Sequence, residues 1–413
     1  MTISTQKHDE LHSIIENLYN HINLGIPDEN RPLYAGYLSV DRPFYLDEDG
    51  YFVVYQSLKR LIFNIQNVGE KWSNQGLQDE IHKLLLDLAA LKDKSASPDF
   101  ENITLAFEQR IDIEFQEYEC IVPVIGLSIT KTLQIGDVTF LPLDAKDRFS
   151  NTISDIQINE LRPHADCFST TKITAEWIRS AELARERVEK ALNILRFLGS
   201  LIWPHELTRH INISGQELKR VSYTFVIDSE QKSGSVGHSE SSVLPFNIDD
   251  TFMQYANFFG LSYLQSLINR QGSALEEDLF AAIQWYGFAI QELNPLVSFV
   301  KFYIAIETAT KREGESAKTF LPKRISILLE PWNKSLQKEL ESELSQLIDE
   351  RNAVFHEGKI KNYSPSYLVN LSRTIARGVI NQLRIKVESQ GWKTKEDLLS
   401  WVKAQSKKLS EYA

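Results

Sequence analysis

Residues 278–293 read DLFAAIQWYGFAIQEL, a pattern that predicts a buried helix. Apolar side chains recur every three or four positions, so they fall on one stripe of a helix. Phe280, Trp285 and Phe288 add apolar bulk outside this stripe, and Pro295 marks the end of the segment. A helix that is apolar on more than one side needs more than one packing partner. The stripe itself consists of Leu279, Ile283, Tyr286, Ile290 and Leu293.

Helix-period patterns continue from about residue 250 to the end of the chain. Helices joined by short links predict a helical bundle over residues 251–413. One of them is expected to start at Ser364-Pro365, because proline fits the first turn of a helix. The other segments are FMQYANFFGLSYLQSLI (252–268) as one helix, SFVKFYIAIETAT (298–310), KRISILLEPW (323–332), a helix from about 335 into residues 349–359, and a last helix from about 394.

The first 250 residues combine a helical region with a strand-containing one. Residues 8–23 and 52–93 carry helix-period apolar positions, and the stretches GIPDENRPLYAG and LDEDG between them are rich in turn residues. Residues 1–95 are therefore predicted to be a mainly helical region that ends at a SASPD break (95–99). Over 96–250, β-branched and aromatic residues punctuated by glycine and proline predict short strands, with a long helix at 174–200. KSGSVGHSESS (232–242) is predicted to be a flexible surface loop. The fold class is therefore α+β, multidomain and mostly helical, with a mixed α/β amino-terminal module of short strands before the C-terminal bundle.

Composition indicates a folded protein, since 42% of the residues are hydrophobic and 10% are aromatic. The two cysteines, Cys120 and Cys167, are too few for a disulfide framework and favour a reducing compartment. No apolar run reaches the length of a membrane span, and the first twenty residues lack the apolar region of a signal peptide. We therefore expect a cytoplasmic protein without membrane contact, and the sequence predicts no metal site and no cofactor.

Charge is unevenly distributed along the chain. The net charge is −11, from 45 basic and 56 acidic residues. Residues 351–413 contain 12 Lys+Arg and 5 Asp+Glu, which gives +7, so residues 1–350 carry the remaining −18. An acidic body with a basic C-terminal segment can bind a polyanion locally. The alternative is that these lysines and arginines only cover the solvent faces of the last helices.

The stretch DERNAVFHEGK (349–359) contains residues suited to metal-independent RNA cleavage. Such cleavage needs proton transfer from the ribose 2′-OH and to the leaving oxygen, and it needs stabilisation of charge on phosphorus. Histidine as a residue type can exchange protons near neutral pH, and arginine binds phosphate oxygens through its planar guanidinium fork, so His356 and Arg351 suit these tasks. Asn352 lies four residues before His356 and therefore on the same helix face. Gly358 is expected to end the helix in the left-handed conformation.

Spacing alone leaves two interpretations of this stretch open. Arg351 and His356 are five residues apart, about 140° around a helix, so Arg351 must reach across or act with the histidine of a second subunit. Alternatively, the charged turn is solvated and His356 only interacts with the free carbonyls at the helix end.

Arg351, Asn352 and His356 form an R-N-x-x-x-H motif late in a helical bundle, and this motif resembles the active motif of HEPN ribonucleases. With the helices before it, the stretch 255–390 resembles the Apea-like HEPN domain of bacterial proteins. Members with the intact motif are typically metal-independent endoribonucleases that leave a 2′,3′-cyclic phosphate. Many act in antiviral defence or as toxins. The resemblance implies a homodimer in which two motifs face each other across a cleft.

The resemblance also implies a role for each motif residue. Arg351 clamps phosphate, Asn352 orients His356 or phosphate, and His356 is the general acid or base. Glu307, in the segment IAIETAT, stands where the family often has an acid that holds the motif arginine. Gly358 stands where a subgroup has a tyrosine that an antitoxin modifies, so the resemblance gives no support for that control in this chain.

The function that follows is a metal-independent HEPN endoribonuclease with RNA as its substrate, dimeric through the bundle. The family suggests a defence or toxin-like effector in which residues 1–250 receive a phage-derived or cellular trigger. The alternative is a non-catalytic HEPN module that binds a nucleotide or a protein and in which the motif is structural.

The helix predicted from Ser364 also carries candidate nucleic-acid contacts. Arg373, Arg377 and Arg384 fall at positions i, i+4 and i+11, within about 40° of one another on a helix. We therefore expect the three arginines to form an RNA-binding stripe. The apolar face of the same helix consists of Leu368, Leu371 and Ile375.

Overall fold

The computed structural model describes residues 4–25, 34–39, 42–65, 68–144, 165–203, 208–213, 221–227, 233–239, 245–268 and 271–411. Most of these residues are helical and the strands are short, which confirms the mostly helical α+β class. The chain forms two compact units, and each unit combines two separate stretches of sequence. The first unit is Met1–Cys120 with Lys172–Ala184, and the second is Ile121–Thr171 with Arg185–Ala413.

The first unit is built around an apolar core formed by helices and a small sheet. Ser4, Ser73 and Asp99 cap its longer helices, because each side chain accepts a hydrogen bond from a backbone N–H of the first turn. Its elements are α1 (Thr5–His21), β1 (Ile22–Leu24), β2 (Tyr34–Ser39), β3 (Arg42–Leu46), a π-helix (Gly50–Tyr55), α2 (Gln56–Phe63), α3 (Val68–Lys71), α4 (Asn74–Asp93) and α5 (Phe100–Ile111).

A three-stranded antiparallel sheet, in the order β1-β3-β2, lies where the sequence predicts only helices and turns. Phe44 and Leu46 of β3 are buried in the core, which fixes the face of the strand that points inward. The strands are only three to six residues long and contain glycine and proline. Such short segments resemble turns in the sequence, because their stabilising partners are backbone groups elsewhere in the chain.

The strand-containing part of the chain forms a five-stranded sheet in the order β6-β7-β8-β4-β9, a parallel pair β5-β12 and an antiparallel pair β10-β11. Ser233–Ser239, predicted as part of a loop, is strand β11 instead, because backbone pairing with β10 needs no apolar side chains. The elements are β4 (Glu117–Ile125), β5 (Leu127–Ile129), β6 (Leu133–Ile135), β7 (Val138–Pro142), β8 (Cys167–Thr174), α6 (Trp177–Ile202), β9 (Asn212–Ile213), β10 (Val221–Ile227), β11 and β12 (Phe246–Ile248).

A helical bundle forms the C-terminal part of the second unit, as the sequence predicts. Within it α9, α10 and α13 pack against one another, and α12 packs against α11. Pro365 is the first residue of α13, and Ser364 caps it. The helices are α7 (Asp250–Phe258), α8 (Leu261–Ser266), α9 (Ala274–Gln291), α10 (Pro295–Thr310), α11 (Ala317–Leu329), α12 (Lys334–Glu357), α13 (Pro365–Gln390) and α14 (Lys395–Glu411).

Two details of the bundle differ from the prediction. The single helix expected over 252–268 is broken between α7 and α8, because Gly260 adopts the left-handed conformation with φ 86°. Leu293, assigned to the buried stripe of α9, lies beyond the helix end and is 49% exposed. The rest of that stripe is buried. Trp285 is 36% exposed, while Phe280 and Phe288 are half-buried.

Candidate active site

Helix α12 ends at Gly358 in the way that the sequence predicts. Gly358 has φ 69°, and its N–H donates to the Val354 carbonyl at 3.0 Å, which closes the last turn. His356 therefore lies in the last turn of the helix, and its side chain is exposed to solvent. An exposed imidazole beside a helix end is accessible to a ligand and contributes little to packing.

Arg351 meets Glu307, so the structure joins the motif to the acid proposed to hold it. The Nη2 atom of Arg351 on α12 lies 3.4 Å from Oε2 of Glu307 on α10. The Arg351 side chain is 27% exposed and that of Glu307 is 16% exposed. This single long contact orients the guanidinium without enclosing it, because part of the fork stays at the surface.

Two aromatic rings and one amide complete the surroundings of the Arg351 guanidinium. Its central carbon lies 4.4 Å from the ring centre of Phe355 and 5.3 Å from that of Tyr303. Nη1 donates to Oδ1 of Asn352 at 3.1 Å. A guanidinium has five N–H donors, and these contacts use two of them. The remaining outer N–H groups are free of protein acceptors within the described residues, and they suit a phosphate oxygen.

Glu307 contacts a lysine and a tyrosine hydroxyl in addition to Arg351. The Nζ atom of Lys311 lies 3.5 Å from Glu307 Oε1, and the Tyr303 hydroxyl donates to the same oxygen at 3.5 Å. Burial, and then the charge of Glu307, raise the pKa of Tyr303 far above its ordinary value. Tyr303 therefore remains a protonated hydrogen-bond donor to Glu307.

Glu350 organises the chain after the motif, a role that the sequence did not reveal. It is 1% exposed, and its carboxylate accepts from the backbone N–H groups of Lys361 and Asn362 at 2.8 and 2.9 Å. The Asn362 side-chain amide donates to it at 2.8 Å as well. One buried carboxylate thus fixes the loop that follows Gly358. The sequence contains only a weak signal for this role. Glu350 directly precedes Arg351, and a glutamate that is buried usually has hydrogen-bonding or charged partners.

The other acidic residues that flank the motif are each engaged by a lysine. Asp349 pairs with Lys318 at 2.7 Å. Glu357 pairs with Lys361, and the hydrogen bond from this lysine lowers the pKa of Glu357. The carboxylates of Asp349 and Glu357 therefore each have a lysine ammonium group beside them. This positive charge reduces the repulsion between the carboxylates and an anionic ligand at the site.

The predicted RNA-binding stripe on α13 is not an exposed surface. Arg384 is 6% exposed, contacts Glu388 and Asn381, and lies against Gly260. Arg377 is half-buried and donates from Nη1 to the Ser200 carbonyl at 2.9 Å. Arg384 is therefore a structural residue, and its assignment as a phosphate contact was wrong. The sequence places the three arginines on one side of α13, but it does not reveal that this side is largely covered by the rest of the protein.

Arg373 is half-buried and lines a surface cleft between α10 and α13. The apolar face predicted for α13 is present, because Leu368 and Ile375 are buried and Leu371 is half-buried. Of the predicted site residues, the structure thus brings together Arg351, Asn352 and Glu307. His356 lies on the same helix, without a hydrogen bond to Arg351.

No protein-family model matches the chain, and neither the curated proteins nor the solved structures include a match. Over the described ranges, no helix is both long enough and apolar enough to cross a membrane. Within the same residues, no three His, Cys, Asp or Glu side chains are grouped in a way that suits a metal ion.

Proposed function

We propose that the chain is a metal-independent endoribonuclease of the HEPN type, with Arg351 as the phosphate clamp and His356 as the general acid or base. The observation that supports this proposal most directly is the environment of the Arg351 guanidinium. Its guanidinium is held in orientation by Glu307, Tyr303 and Phe355, yet it keeps free donors at the surface. N–H donors without acceptors do not stabilise the fold, so the free donors of Arg351 support a role in binding a ligand.

In the proposed reaction, the ribose O2′ attacks the adjacent phosphorus and the bond from phosphorus to O5′ breaks. The O2′ proton passes to a base and O5′ gains a proton from an acid, so the products are a 2′,3′-cyclic phosphate and a 5′-hydroxyl. His356 performs one of these transfers. Arg351 stabilises the additional negative charge on the phosphoryl oxygens. The Asn352 amide group donates a further hydrogen bond to the phosphate.

The proposal includes a homodimer, because Arg351 and His356 leave the helix about 140° apart. Two motifs facing across a cleft supply a second histidine, so one imidazole can accept a proton while the other donates one. The exposed position of His356 and the partly exposed apolar side chain of Trp285 support this arrangement. In the same proposal, the protein is a defence or toxin-like effector, and residues 1–250 respond to a trigger.

The test is RNA cleavage by purified full-length protein in EDTA, with the chemistry of the new ends determined. Wild type is compared with His356→Ala, and Lys338→Ala serves as a control that removes an exposed side chain from the other end of α12. We expect wild type and Lys338→Ala to leave 2′,3′-cyclic phosphate ends, and His356→Ala to be slower by about a hundredfold or more.

Equal cleavage by folded His356→Ala and wild type would show that the assignment of His356 is wrong. Cleavage that stops in EDTA would exclude the metal-independent reaction. If wild type cuts no RNA as isolated, or when supplied with phage-infected cell extract as a source of trigger, the non-catalytic binding module becomes the better account of the motif.

A further inference from the structure

A surface cleft in the second unit contains two arginines and lies outside the proposed active site. It is formed by α10, α13, the end of α9 and the segment before β9, and its volume is about 240 Å³. Ser298 of α10 lines this cleft, and it precedes Glu307 by nine residues, or about 14 Å along the helix. We call it the arginine cleft, after Arg209 and Arg373.

Arg209 is positioned in the arginine cleft with donors to spare. Its Nη2 atom donates to the backbone carbonyl of Glu292 at 3.2 Å, which ties the guanidinium to the end of α9. Its Nε atom is shielded from solvent and makes no hydrogen bond with any residue that the structure describes. A buried N–H without an acceptor is costly. The outer Nη groups of the same guanidinium can still donate to an anion in the cleft, since the contact with Glu292 uses only one of their N–H bonds.

Arg373 supplies the second guanidinium from α13, and Asn370 and Ser366 line the cleft from the same helix. Asn370 and Ser366 are exposed, so their polar groups lie at the mouth of the cleft. Two guanidinium groups beside hydroxyl and amide donors form an arrangement that suits phosphate, which carries more charge and more acceptor oxygens than a single carboxylate.

The acidic side chain among the lining residues, Glu292, does not oppose this charge. Glu292 accepts from Lys301 Nζ at 2.7 Å and from the backbone N–H of Asn294 at 3.0 Å. Its carboxylate is therefore neutralised by groups other than the two arginines. Phe302 and Val369 add apolar wall to the cleft. The volume of about 240 Å³ is close to the lower end of small-molecule sites, which fits a phosphate group with little attached.

We infer that the arginine cleft is a phosphate-binding site in which Arg209 and Arg373 hold the ligand. The phosphate belongs either to a free anion or to the backbone of an RNA strand. The second source rests on the proposed nuclease function, whereas phosphate binding itself does not.

Two probes separate these sources. Inorganic phosphate is titrated by calorimetry, and a short 2′-O-methyl RNA is measured by fluorescence anisotropy over a series of salt concentrations. The methylated oligonucleotide lacks the attacking 2′-OH, so its binding is measured whether or not the protein is a nuclease. We expect Arg209→Ala and Arg373→Ala to weaken phosphate binding about tenfold or more, because each removes charge-assisted hydrogen bonds.

Asn370→Glu is the variant that keeps the test decisive if an arginine variant does not fold. It places a carboxylate at the exposed mouth of the cleft, where the fold tolerates a polar replacement. It should weaken phosphate binding as well. Arg185→Ala removes an exposed arginine of α6 that does not line the cleft, and it should bind phosphate as wild type does.

If the cleft also binds RNA, the arginine variants should weaken oligonucleotide binding. They should also reduce the slope of log affinity against log salt by about 0.7 for each RNA phosphate that the variant no longer binds. Weakened binding of inorganic phosphate alone would identify a free anion as the ligand, and either result supports the site. Unchanged affinity for both probes in folded Asn370→Glu and Arg209→Ala, or no binding of either probe by wild type, would overturn the inference.

Discussion

Two arginine–glutamate pairs in the same bundle differ in how completely they are satisfied. Arg324 of α11 and Glu315 form two hydrogen bonds of 2.9 Å each, and Arg324 also donates to the Thr310 carbonyl. The two side chains are 4% and 10% exposed. Arg351 and Glu307 share one contact of 3.4 Å and are 27% and 16% exposed.

This difference separates an arginine whose donors are engaged by the protein from an arginine that keeps donors at the surface. Arg324 uses its fork on a carboxylate and a backbone carbonyl, so no face of it is available to a ligand. Arg351 is oriented by aromatic rings and by a single carboxylate contact, and it keeps donors at the surface. The same residue type in the same bundle thus contributes stability in one place and leaves binding capacity in the other.

The largest effect on stability is expected at the saturated pair. Arg324→Ala removes two hydrogen bonds from the largely buried Glu315 carboxylate and one from the Thr310 carbonyl, and should lower the free energy of unfolding by about 3–5 kcal/mol. Denaturant-induced unfolding measures this loss. The matched control is Arg312→Ala, because Arg312 is 52% exposed and makes only long contacts with acids, so its removal should cost less than about 1 kcal/mol. Similar losses in both variants would contradict the distinction.

Glu350→Ala should have the next largest effect, about 2–3 kcal/mol, since it removes a buried carboxylate that accepts three hydrogen bonds from the loop after Gly358. Hydrogen exchange at the amides of Lys361 and Asn362 should accelerate in this variant. Glu339→Ala removes an exposed carboxylate from the first half of the same helix and should leave those two amides protected. Unchanged protection in Glu350→Ala would show that this carboxylate does not hold the loop.

A smaller effect is expected from acid. The Arg324 hydrogen bonds lower the pKa of Glu315 below its ordinary value of 4.5. A lowered folded-state pKa contributes stability that is present above the unfolded-state value and is lost as the pH falls through the folded-state value. The free energy of unfolding should therefore decline below about pH 4.5, and Glu315→Gln should make that decline shallower. An identical acid limb in wild type and Glu315→Gln would contradict this contribution.

The smallest effect on stability is expected at the open pair. Phe355 is 54% exposed, and its ring orients the Arg351 guanidinium. Phe355→Ala should cost about 0.5–1 kcal/mol of unfolding free energy, the range of an exposed cation–π contact. The rate of RNA cleavage should fall by more than this small loss of stability explains, because the guanidinium loses its orientation. A loss of stability as large as that of Arg324→Ala would place Phe355 in the core of the fold.

Much of the bundle was predictable because helix periodicity and end signals are local. Pro365 and Gly358 lie at the start of α13 and the end of α12, where the sequence places them. The proximity of Glu307 to Arg351 came from a family resemblance and not from spacing. The break at Gly260 was missed because glycine is also tolerated inside helices, and only its surroundings decide between the two.

The remaining differences arise from contacts that have no signature in the local sequence pattern. Arg384 is buried because its side chain packs over Gly260, which no helical wheel of α13 includes. Glu350 was missed because its main partners are backbone amides, which have no side-chain signature in the sequence. Strand β11 escaped prediction for the same reason, since Ser233–Ser239 pairs through its backbone.

The most direct test of the account is RNA cleavage by Arg351→Ala at a temperature where circular dichroism shows it to be as folded as wild type. In the proposed function Arg351 binds the phosphate, so its removal should leave a folded protein that cleaves RNA at least about a hundredfold more slowly. Arg351→Lys should recover little of the rate, because a lysine lacks the planar fork. Cleavage by folded Arg351→Ala at the rate of wild type would contradict the central claim.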